Sequence, residues 1–451
     1  MNSLISKYNI PVPRYTSYPT VPYWDNTPDQ EQWKSLVKES FKKTNDKNGI
    51  SLYIHLPFCE SLCTYCACNT RITVNHKVEE PYIKSLLKEW QLYLNIFEGK
   101  PKIKEIHLGG GTPTFFSPDN LKKLINAILN SSIITKDAEF SFEAHPNNTS
   151  KEHLQTLYDL GFRRVSYGIQ DFDPIVQDAI NRVQTFEQVK TAVDNARNIG
   201  YTSINFDLIY GLPFQTVISV INTINKVNLL KPDRIAFYSY AHVPWVKPGQ
   251  RKFGEKDLPV DIKKRQLYEK GLELFKQSGY TDIGMDHFAL PDDTLYSSMK
   301  NKALHRNFMG YTHNYTELMI GLGASSISDT WNAFGQNIKT VEEYQEAVNN
   351  GKFPITKGHI LSTDDLCMRK HILNIMCKGE TQWVDKDLNS LKFNETLYRL
   401  EELKADNLVE IKQNKLSVTE LGKAFLRNIC LCFDSKYWAK VSNKTIFSSA
   451  V

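Results

Sequence analysis

Four of the eight cysteines in the chain lie within ten residues of one another, at Cys59, Cys63, Cys66 and Cys68. The first three follow the spacing C-x3-C-x2-C. Three thiolates so spaced suit a [4Fe–4S] cluster with one iron left free for a ligand that the protein does not supply. The sequence therefore predicts Cys59, Cys63 and Cys66 as metal ligands. Cys68 is either a fourth ligand or a neighbouring thiol, and the need for an open iron favours the neighbour.

Two other interpretations of these cysteines stay open at this point. Structural zinc usually takes two Cys or His pairs from separated segments, and no second pair accompanies this loop. Buried free thiols are the other alternative. The segment Met1–Tyr15 has no apolar core followed by a small-residue cleavage site, so we expect a cytoplasmic protein with reduced thiols. In that setting, a tight group of cysteines favours metal or redox chemistry.

The cysteine loop follows a predicted strand, and the chain beyond it alternates between strands and helices. The predicted strands are Leu52–His55, Ile103–Leu108, Glu139–Glu143, Arg164–Ile169, Ser203–Leu208 and Arg234–Tyr238. The predicted helices lie near 79–96, 118–130, 151–160, 186–199, 216–229 and 261–278. Such alternation indicates a parallel sheet in an α/β fold. Because six units are too few for a closed eight-stranded barrel, the sequence predicts an open, partial (β/α)6 barrel.

The composition of the chain and the points where the alternation of strands and helices starts and stops predict three structural segments. Residues 1–49 form a proline-broken N-terminal arm and a short helix, and residues 50–350 form the catalytic barrel domain. Residues 351–451 form a mainly helical domain, for which a winged-helix-like unit is one interpretation. A net charge of +5 gives no indication of nucleic-acid binding. No apolar run reaches the roughly 18 residues that a membrane span needs, so we expect no span.

Polar side chains stand at the ends of three successive predicted strands. Glu143 ends the third strand, Gln170 the fourth and Asp207 the fifth. In (β/α) barrels, the residues at the carboxyl ends of the strands usually build the site. The glycines of Gly109–Gly111 follow the second strand, where they allow the backbone to approach a ligand closely. The sequence thus predicts that these positions and the cysteines form one site.

The cysteine spacing after a strand resembles the radical S-adenosylmethionine superfamily. Within it, the chain resembles the oxygen-independent coproporphyrinogen III oxidases, and Cys66-Ala-Cys68 fits them because related haem chaperones usually lack the last cysteine. The similar motifs are Pro13–Thr20, Gly109–Thr114, Tyr167–Phe172, Phe206–Pro213, Tyr240–Pro244, Gly284–Ala289, Leu304–Phe308 and Arg427–Asp434. They cover nearly the whole chain in the family's order.

The resemblance implies a radical S-adenosylmethionine oxidoreductase of haem biosynthesis. Such an enzyme decarboxylates two propionates of coproporphyrinogen III to vinyl groups, giving protoporphyrinogen IX. The family implies a [4Fe–4S] cluster, two S-adenosyl-L-methionine molecules in one site, and a 5′-deoxyadenosyl radical as the reactive species. It also implies an electron donor such as a flavodoxin or ferredoxin, and a monomer. The alternatives are a haem chaperone or an anaerobic haem-degrading enzyme of the same superfamily.

The resemblance also implies binding roles for individual residues. The cluster and the cofactor carry the chemistry, and we expect no side chain to be catalytic. Glu143 would take an ammonium, Gln170 and Asp207 ribose hydroxyls, and Arg182 the carboxylate of the second cofactor molecule. The full set of implied cofactor contacts is Tyr53, Tyr65, Gly110, Gly111, Thr112, Glu143, Gln170, Arg182, Asp207, Ala241 and Ile327. The substrate carries four propionates, for which the cationic residues Arg14, His305 and Arg306 are predicted partners.

Two positions depart from the family's pattern. His145 stands where the family usually has aspartate, and Leu108 stands where tryptophan is common. We expect His145 to be a structural histidine, as is usual for a single histidine with no partner evident in the sequence.

Overall fold

The computed structural model describes residues 2–440 and residue 447, which divide into two compact units. The sheet unit comprises Asn26–Leu258 and Asn314–Ile360. The helix-rich unit comprises the described residues of Met1–Asp25, Pro259–His313 and Leu361–Val451. Both units are discontinuous in sequence, and the three segments expected from the sequence stay a prediction. Residues 441–446 and 448–451 of the third segment lie outside the described residues.

The described chain alternates between strands and helices over much of its length. The strands are β1 (Ile50–Leu56), β2 (Phe58–Cys59), β3 (Arg71–Ile72), β4 (Lys102–Gly110), β5 (Ile133–Ala144), β6 (Phe162–Gln170), β7 (Ser203–Tyr210), β8 (Arg234–Ser239), β9 (Thr281–Gly284), β10 (His287–Ala289), β11 (His305–Asn307), β12 (Gly310–Thr312), β13 (Met319–Leu322), β14 (Ile327–Asp329), β15 (Ala333–Asn337), β16 (Ile355–Ile360), β17 (Glu380–Gln382), β18 (Val409–Lys412) and β19 (Lys415–Val418). The helices are α1 (Asn2–Tyr8), α2 (Gln30–Thr44), α3 (Glu79–Leu94), α4 (Pro118–Asn130), α5 (Lys151–Asp159), α6 (Pro174–Ala179), α7 (Phe186–Ile199), α8 (Val217–Leu230), α9 (Asp261–Gln277), α10 (Thr294–Lys300), α11 (Val341–Asn349), α12 (Thr363–Lys378), α13 (Asp385–Leu388), α14 (Leu391–Ala405), α15 (Leu426–Cys432) and α16 (Ser435–Ala439).

The strands of the sheet unit follow the order β16-β15-β14-β13-β1-β4-β5-β6-β7-β8. From β13 to β8 neighbouring strands run parallel, while β14, β15 and β16 pair antiparallel. The predicted α/β fold with a parallel sheet is confirmed, and all six predicted strands are present within longer strands. The sequence did not predict β13 to β16. Strands β13, β14 and β15 are three to five residues long and follow one another without the intervening helices that mark the other strands, and β16 follows helix α11.

The parallel strands form because their residues are apolar enough to be covered on both faces. In β1, six of the seven residues are buried, as expected for a parallel strand with helices on both sides. The helices between strands carry clear boundary signals. Helix α4 begins at Pro118 after the N-cap Ser117, and it buries Leu121, Leu124, Ile125 and Ile128 on one face. This packing directs the carboxyl ends of the strands to one edge of the sheet.

A buried carboxyl group fixes the segment that joins β13 to α11. Glu89 of α3 accepts hydrogen bonds from the Gly323 amide at 2.8 Å, the Asn337 amide group at 2.7 Å and the Tyr344 hydroxyl at 2.6 Å. Burial raises the pKa of Glu89 to about 7, although these three donors act in the opposite direction. The carboxyl group therefore changes charge near neutral pH while it holds three segments together.

In the helix-rich unit, the N-terminal arm is part of the hydrophobic core. Val12, Tyr15 and Tyr18 are buried, and Arg427 of α15 donates hydrogen bonds to the carbonyls of Val12 and Pro13. The Tyr15 hydroxyl donates to Asp434 at 3.1 Å. Within residues 351–451, for which the sequence predicts a mainly helical domain, the structure also has a three-stranded sheet, β17-β19-β18. Helix α1 was not predicted.

Within the described residues, none of the helices is long and apolar enough to span a membrane.

Candidate functional site

The carboxyl ends of β4 to β8 and the cysteine loop surround a cavity of about 310 Å³ in the sheet unit. It is lined by side chains from segments that are far apart in sequence, and most of the predicted site residues are among them. These lining residues are Cys59, Cys63, Tyr65, Cys66, Gly110, Gly111, Thr112, Glu143, Gln170, Arg182 and Asp207. The polar strand ends and the cysteines thus lie around one space, together with Cys68.

The cysteine loop is held at both of its ends. Where the loop leaves the sheet, β2 and β3 pair in parallel, so that the backbone of Cys59 lies beside that of Ile72. In the middle of the loop, the Thr64 amide donates to the Ile180 carbonyl at 2.9 Å, and the Asn181 side chain donates to the Leu62 carbonyl at 2.8 Å. These bonds fix the loop against the segment that leads to Arg182.

The thiols have different surroundings. Burial raises the pKa of Cys59 to about 11, although Thr112 Oγ1, 3.3 Å from its sulfur, lowers it. A contact with the Cys68 thiol lowers the pKa of Cys66 to about 6. Thiolates are the form that binds metal, and a metal releases the proton of a buried thiol on binding. The Cys68 thiol therefore lies next to Cys66, a predicted ligand, and whether Cys68 is itself a ligand stays a prediction.

The turn after β4 has room only for glycine at two positions. Gly110 has φ of +117°, and a Cβ there would lie 2.7 Å from the His55 ring. A Cβ on Gly111 would lie 2.6 Å from the Pro57 carbonyl oxygen. The Gly111 amide donates to the Leu56 carbonyl at 2.9 Å. The two glycines therefore let the turn pack against the start of the cysteine loop while they line the cavity.

Glu143 lies one residue before the end of β5, and its carboxylate is held by two donors. Its Oε1 lies 3.5 Å from His107 Nε2, and its Oε2 accepts from the Gly110 amide at 3.2 Å. Burial opposes the ionisation of Glu143, but the contacts with His107 and Gly110 outweigh it and hold its pKa below the usual value. An ionised carboxylate on the cavity wall is suited to an ammonium group.

Asp207 of β7 is oriented by two neighbours that the sequence analysis did not identify. Its carboxylate accepts from Ser166 Oγ at 2.9 Å and from Asn205 Nδ2 at 2.8 Å. Asn205 and Asp207 are two residues apart on one strand and share a face, so strand periodicity could have found Asn205. Gln170, at the end of β6, has a φ of +65°. That uncommon conformation marks the position where β6 leaves the sheet.

Arg182 joins the cavity wall to the cysteine loop. Its Nε and Nη2 atoms donate to the Gly168 carbonyl at 3.0 and 2.5 Å, and its Nη1 lies 3.5 Å from Cys63 Sγ. The side chain is buried, so its charge is available only to groups within the cavity. A guanidinium in this position is suited to an anionic group of a ligand.

Three predicted cofactor contacts are not on the cavity wall. Tyr53 stacks on His107 with ring centroids 6.0 Å apart, and its hydroxyl lies 3.2 Å from His55 Nδ1. Ala241 and Tyr65 are joined by the fully buried Gln250, which donates to both backbone carbonyls at 3.3 and 3.2 Å. Ile327 lies in β14, where its backbone is packed against Gly321. Gln250 was missed because it belongs to no strand end or motif.

The predicted substrate contacts lie in the helix-rich unit. Arg14 Nη1 is 3.5 Å from Asp286 Oδ2. Arg306 is buried with its guanidinium carbon 4.5 Å from the centre of the Tyr311 ring, and its Nε and Nη1 have no hydrogen-bond partner among the described residues. Burial lowers the pKa of His305 to about 3, so this side chain is neutral near pH 7.

His145 and Leu108, the two departures from the family's pattern, have different surroundings in the structure. His145 lines the cavity, and its Nδ1 accepts from the Asn147 amide at 3.2 Å. Burial lowers its pKa to about 3. His145 thus caps the turn after β5 and also faces the cavity, and its structural role stays a prediction. Leu108 is fully buried in β4.

The donor set of the cavity fits an iron–sulfur cluster with S-adenosylmethionine. The thiols of Cys59, Cys63 and Cys66 suit three irons of a cubane cluster. Beside them, an ionised Glu143, a carboxylate at Asp207 and the buried guanidinium of Arg182 offer partners for an ammonium, for hydroxyls and for a carboxylate. Structural zinc does not call for these polar groups, and it usually takes ligand pairs from separated segments, whereas the four cysteines of the cavity come from one loop.

Comparisons with known proteins agree with this site. A model of the radical SAM superfamily matches residues 53–227, which contain the cysteine loop and β4 to β7. The solved structure of coproporphyrinogen III oxidase from Escherichia coli, a radical SAM enzyme, has a TM-score of 0.88 and 34% sequence identity, covering 94% of this chain and 97% of that one. Fold and site thus define a radical SAM protein.

Relatives narrow this class to one family. An oxygen-independent coproporphyrinogen III oxidase from Synechocystis is 36% identical, with 99% of this chain and 97% of the relative covered. The oxidase from Helicobacter pylori is 38% identical, with 95% of each chain covered. The chain belongs to the family of oxygen-independent coproporphyrinogen III oxidases.

Proposed function

We propose that this chain catalyses the oxidative decarboxylation of coproporphyrinogen III to protoporphyrinogen IX without oxygen, as a step of haem biosynthesis. In each of two propionates, the β-carbon loses a hydrogen atom, the carboxylate leaves as carbon dioxide and an acceptor takes one electron, so that a vinyl group remains. The observation that carries the proposal is the convergence of three thiols, two acidic side chains and one guanidinium on one cavity, in a chain that matches oxidases over nearly its full length.

The proposal assigns the cluster to Cys59, Cys63 and Cys66, with Cys68 as a neighbour. When bound, the reduced cluster and S-adenosylmethionine supply a 5′-deoxyadenosyl radical, which abstracts the hydrogen atom. The chain's own part is to bind and orient. Fixed donors such as Ser166 hold the Asp207 carboxylate in place before the ligand arrives, which lowers the cost of binding.

We assign two S-adenosylmethionine molecules to the cavity and its rim. The proposed contacts are the implied set, Tyr53, Tyr65, Gly110, Gly111, Thr112, Glu143, Gln170, Arg182, Asp207, Ala241 and Ile327. Glu143 would bind the ammonium of the first molecule, and Arg182 would bind the carboxylate of the second. Two observations support these assignments of Glu143 and Arg182. The pKa of Glu143 is held below its usual value, so its carboxylate is charged, and the guanidinium of Arg182 is buried, so both charges are suited to groups of a ligand in the cavity.

For the substrate, we propose that Arg14 and Arg306 bind propionates and that the neutral His305 donates or accepts a hydrogen bond. The unpartnered nitrogens of Arg306 support this, because a buried guanidinium without acceptors is costly unless a ligand supplies them. A flavodoxin or ferredoxin as electron donor, a cytoplasmic location and a monomeric state belong to the same proposal.

The test is anaerobic turnover with coproporphyrinogen III, a reductant and S-adenosylmethionine, with the product identified by mass. We expect loss of two carboxyl groups as carbon dioxide and formation of two vinyl groups. Cys63→Ala should abolish this activity, whereas Cys377→Ala, which changes a buried thiol of the helix-rich unit, should retain it. Tight binding of haem with no vinyl formation would instead identify a haem chaperone, and opening of added haem would identify a haem-degrading enzyme.

A further inference from the structure

Three potential metal ligands meet in the helix-rich unit on residues that the proposed function does not use. Cys367 and His371 are four residues apart on α12 and therefore lie on one face of that helix. Asp387 of the short helix α13 faces them. One ligand atom from each residue, the Cys367 sulfur, a His371 ring nitrogen and an Asp387 carboxylate oxygen, lies within 4.8 Å of the other two.

A contact of the Nδ1 atom of His371 orients the ring so that its Nε2 atom faces Asp387. His371 is fully buried, and its Nδ1 lies 2.8 Å from the Thr381 hydroxyl. Its Nε2 has no hydrogen-bond partner among the described residues, and Asp387 Oδ2 is 3.5 Å away from it. A buried polar atom without a partner is costly. Metal-bound histidines commonly use the second ring nitrogen in just such a hydrogen bond.

Two contacts within the group have the length expected between neighbouring ligand atoms of a tetrahedral site. Cys367 Sγ lies 3.5 Å from Asp387 Oδ1, and His371 Nε2 lies 3.5 Å from Oδ2. Zinc–ligand bonds of about 2.0–2.3 Å in a tetrahedron place neighbouring ligand atoms about 3.3–3.7 Å apart. The rings of Phe393 and Phe433 flank His371, with centroids 5.0 and 5.6 Å from its own. The two contacts end on different oxygens of Asp387, and the three ligand atoms lie within 4.8 Å of one another, so they must move closer together to enclose an ion.

Helix capping explains only part of this arrangement. Asp387 Oδ2 accepts from the Val384 amide at 3.0 Å and lies 3.5 Å from Lys370 Nζ, so this oxygen already has partners. Capping gives no role to the unpartnered His371 nitrogen, and it does not require a thiol beside Oδ1. The combination of thiol, imidazole and carboxylate is the mixed donor set that zinc accepts.

We propose that Cys367, His371 and Asp387 bind one Zn²⁺ ion, which joins α12 to α13 and leaves a fourth position for water or another small ligand. The site is separate from the cysteines of the cavity. Its existence does not depend on the oxidase activity.

The test measures zinc in protein whose iron–sulfur cluster has been reconstituted under anaerobic conditions. The protein is equilibrated with Zn²⁺ and a competing chelator, and bound zinc is counted by elemental analysis. We expect one zinc per chain. Cys367→Ser and Asp387→Asn should each weaken zinc binding more than about a hundredfold, and Thr381→Val about 10- to 100-fold because it removes the partner of the second ring nitrogen. Cys377→Ser, on the same helix, is the matched control and should bind like the parent.

X-ray absorption at the zinc edge gives a second readout that is independent of turnover. One sulfur at about 2.3 Å with nitrogen and oxygen at about 2.0–2.2 Å supports the proposal. Three sulfurs per zinc would place the ion in the Cys59–Cys66 loop and overturn it. A parent protein that retains no zinc, or a Cys367→Ser variant that retains it like the parent, would overturn it as well.

Discussion

Replacement of Asp207 by asparagine removes a charge from the cavity while it preserves shape. The carboxylate accepts from Asn205, which can only donate through Nδ2, and from Ser166, whose hydroxyl can donate or accept. An asparagine can therefore keep its oxygen toward Asn205 and turn its amide nitrogen toward Ser166. The variant is expected to fold normally, so a change in ligand binding can be ascribed to the lost charge.

The size of the effect follows from the kind of hydrogen bond that is lost. A bond to a charged group contributes about 1.5–3 kcal/mol and a neutral one about 0.5–1.5 kcal/mol, which leaves a difference of about 1–1.5 kcal/mol for each ligand hydroxyl. If Asp207 binds one ribose hydroxyl, affinity for S-adenosylmethionine should fall about 5- to 10-fold. If it binds two, the loss should be about 30- to 150-fold.

The assay is anaerobic equilibrium dialysis of S-adenosylmethionine against protein with equal iron content. Asp194→Asn is the matched control, since it removes the same charge from a surface ion pair with Lys190. We expect the control to bind like the parent. An Asp207→Asn variant that binds S-adenosylmethionine within twofold of the parent would refute the assignment of Asp207 to the cofactor.

Three further predictions concern the cluster, the substrate and stability. Alanine at Cys59, Cys63 or Cys66 should abolish the brown chromophore and the cleavage of S-adenosylmethionine, whereas Cys68→Ala should keep a cluster. Loss of the cluster in Cys68→Ala would contradict the assignment of three cysteine ligands. Arg14→Gln should lower kcat/KM for coproporphyrinogen III about 10- to 150-fold, through loss of a charged hydrogen bond, with cofactor binding unchanged in parallel dialysis; equal kcat/KM values exclude this contact. The folded pKa of Glu89, about 7, lies above its unfolded value, so its stabilising effect is present at low pH and is lost as pH rises through about 7. Between roughly pH 6 and 8, the free energy of unfolding measured in urea should fall by about 1.4 kcal/mol more in the parent than in Glu89→Gln. An equal dependence of this free energy on pH in the two proteins would contradict the raised pKa.

The sequence predicted β1 and β4 to β8 because short runs rich in apolar residues alternate there with helical segments, whereas it missed the parallel strand β13. It also predicted Glu143, Gln170 and Asp207 at strand ends. In the structure β6 ends at Gln170, β5 ends one residue after Glu143 and β7 ends three residues after Asp207, and all three side chains line the cavity. These residues were recognisable because both their type and their position relative to the strand carried information.

Other features could not be predicted because they depend on contacts between distant segments. Gln250 joins the carbonyls of Tyr65 and Ala241, and no local pattern indicates such a role. The buried state of the arm depends on Arg427, more than 400 positions further along the chain. Likewise, the group of Cys367, His371 and Asp387 becomes visible only when α13 is placed against α12.

The pairing of the arm with α15 has a consequence for the order of events during synthesis on the ribosome. Residues of the arm are made before the sheet unit, and their partners Arg427 and Asp434 are made after it. All residues of the sheet unit, which end at Ile360, leave the ribosome before α15 exists. Because domains generally fold as units in the order in which they are completed, the sheet unit can fold while the apolar side chains of Val12, Tyr15 and Tyr18 still lack their cover. Until α15 emerges, this segment therefore lacks the partners that cover it, and we expect chaperones that bind exposed apolar side chains to bind it during that interval.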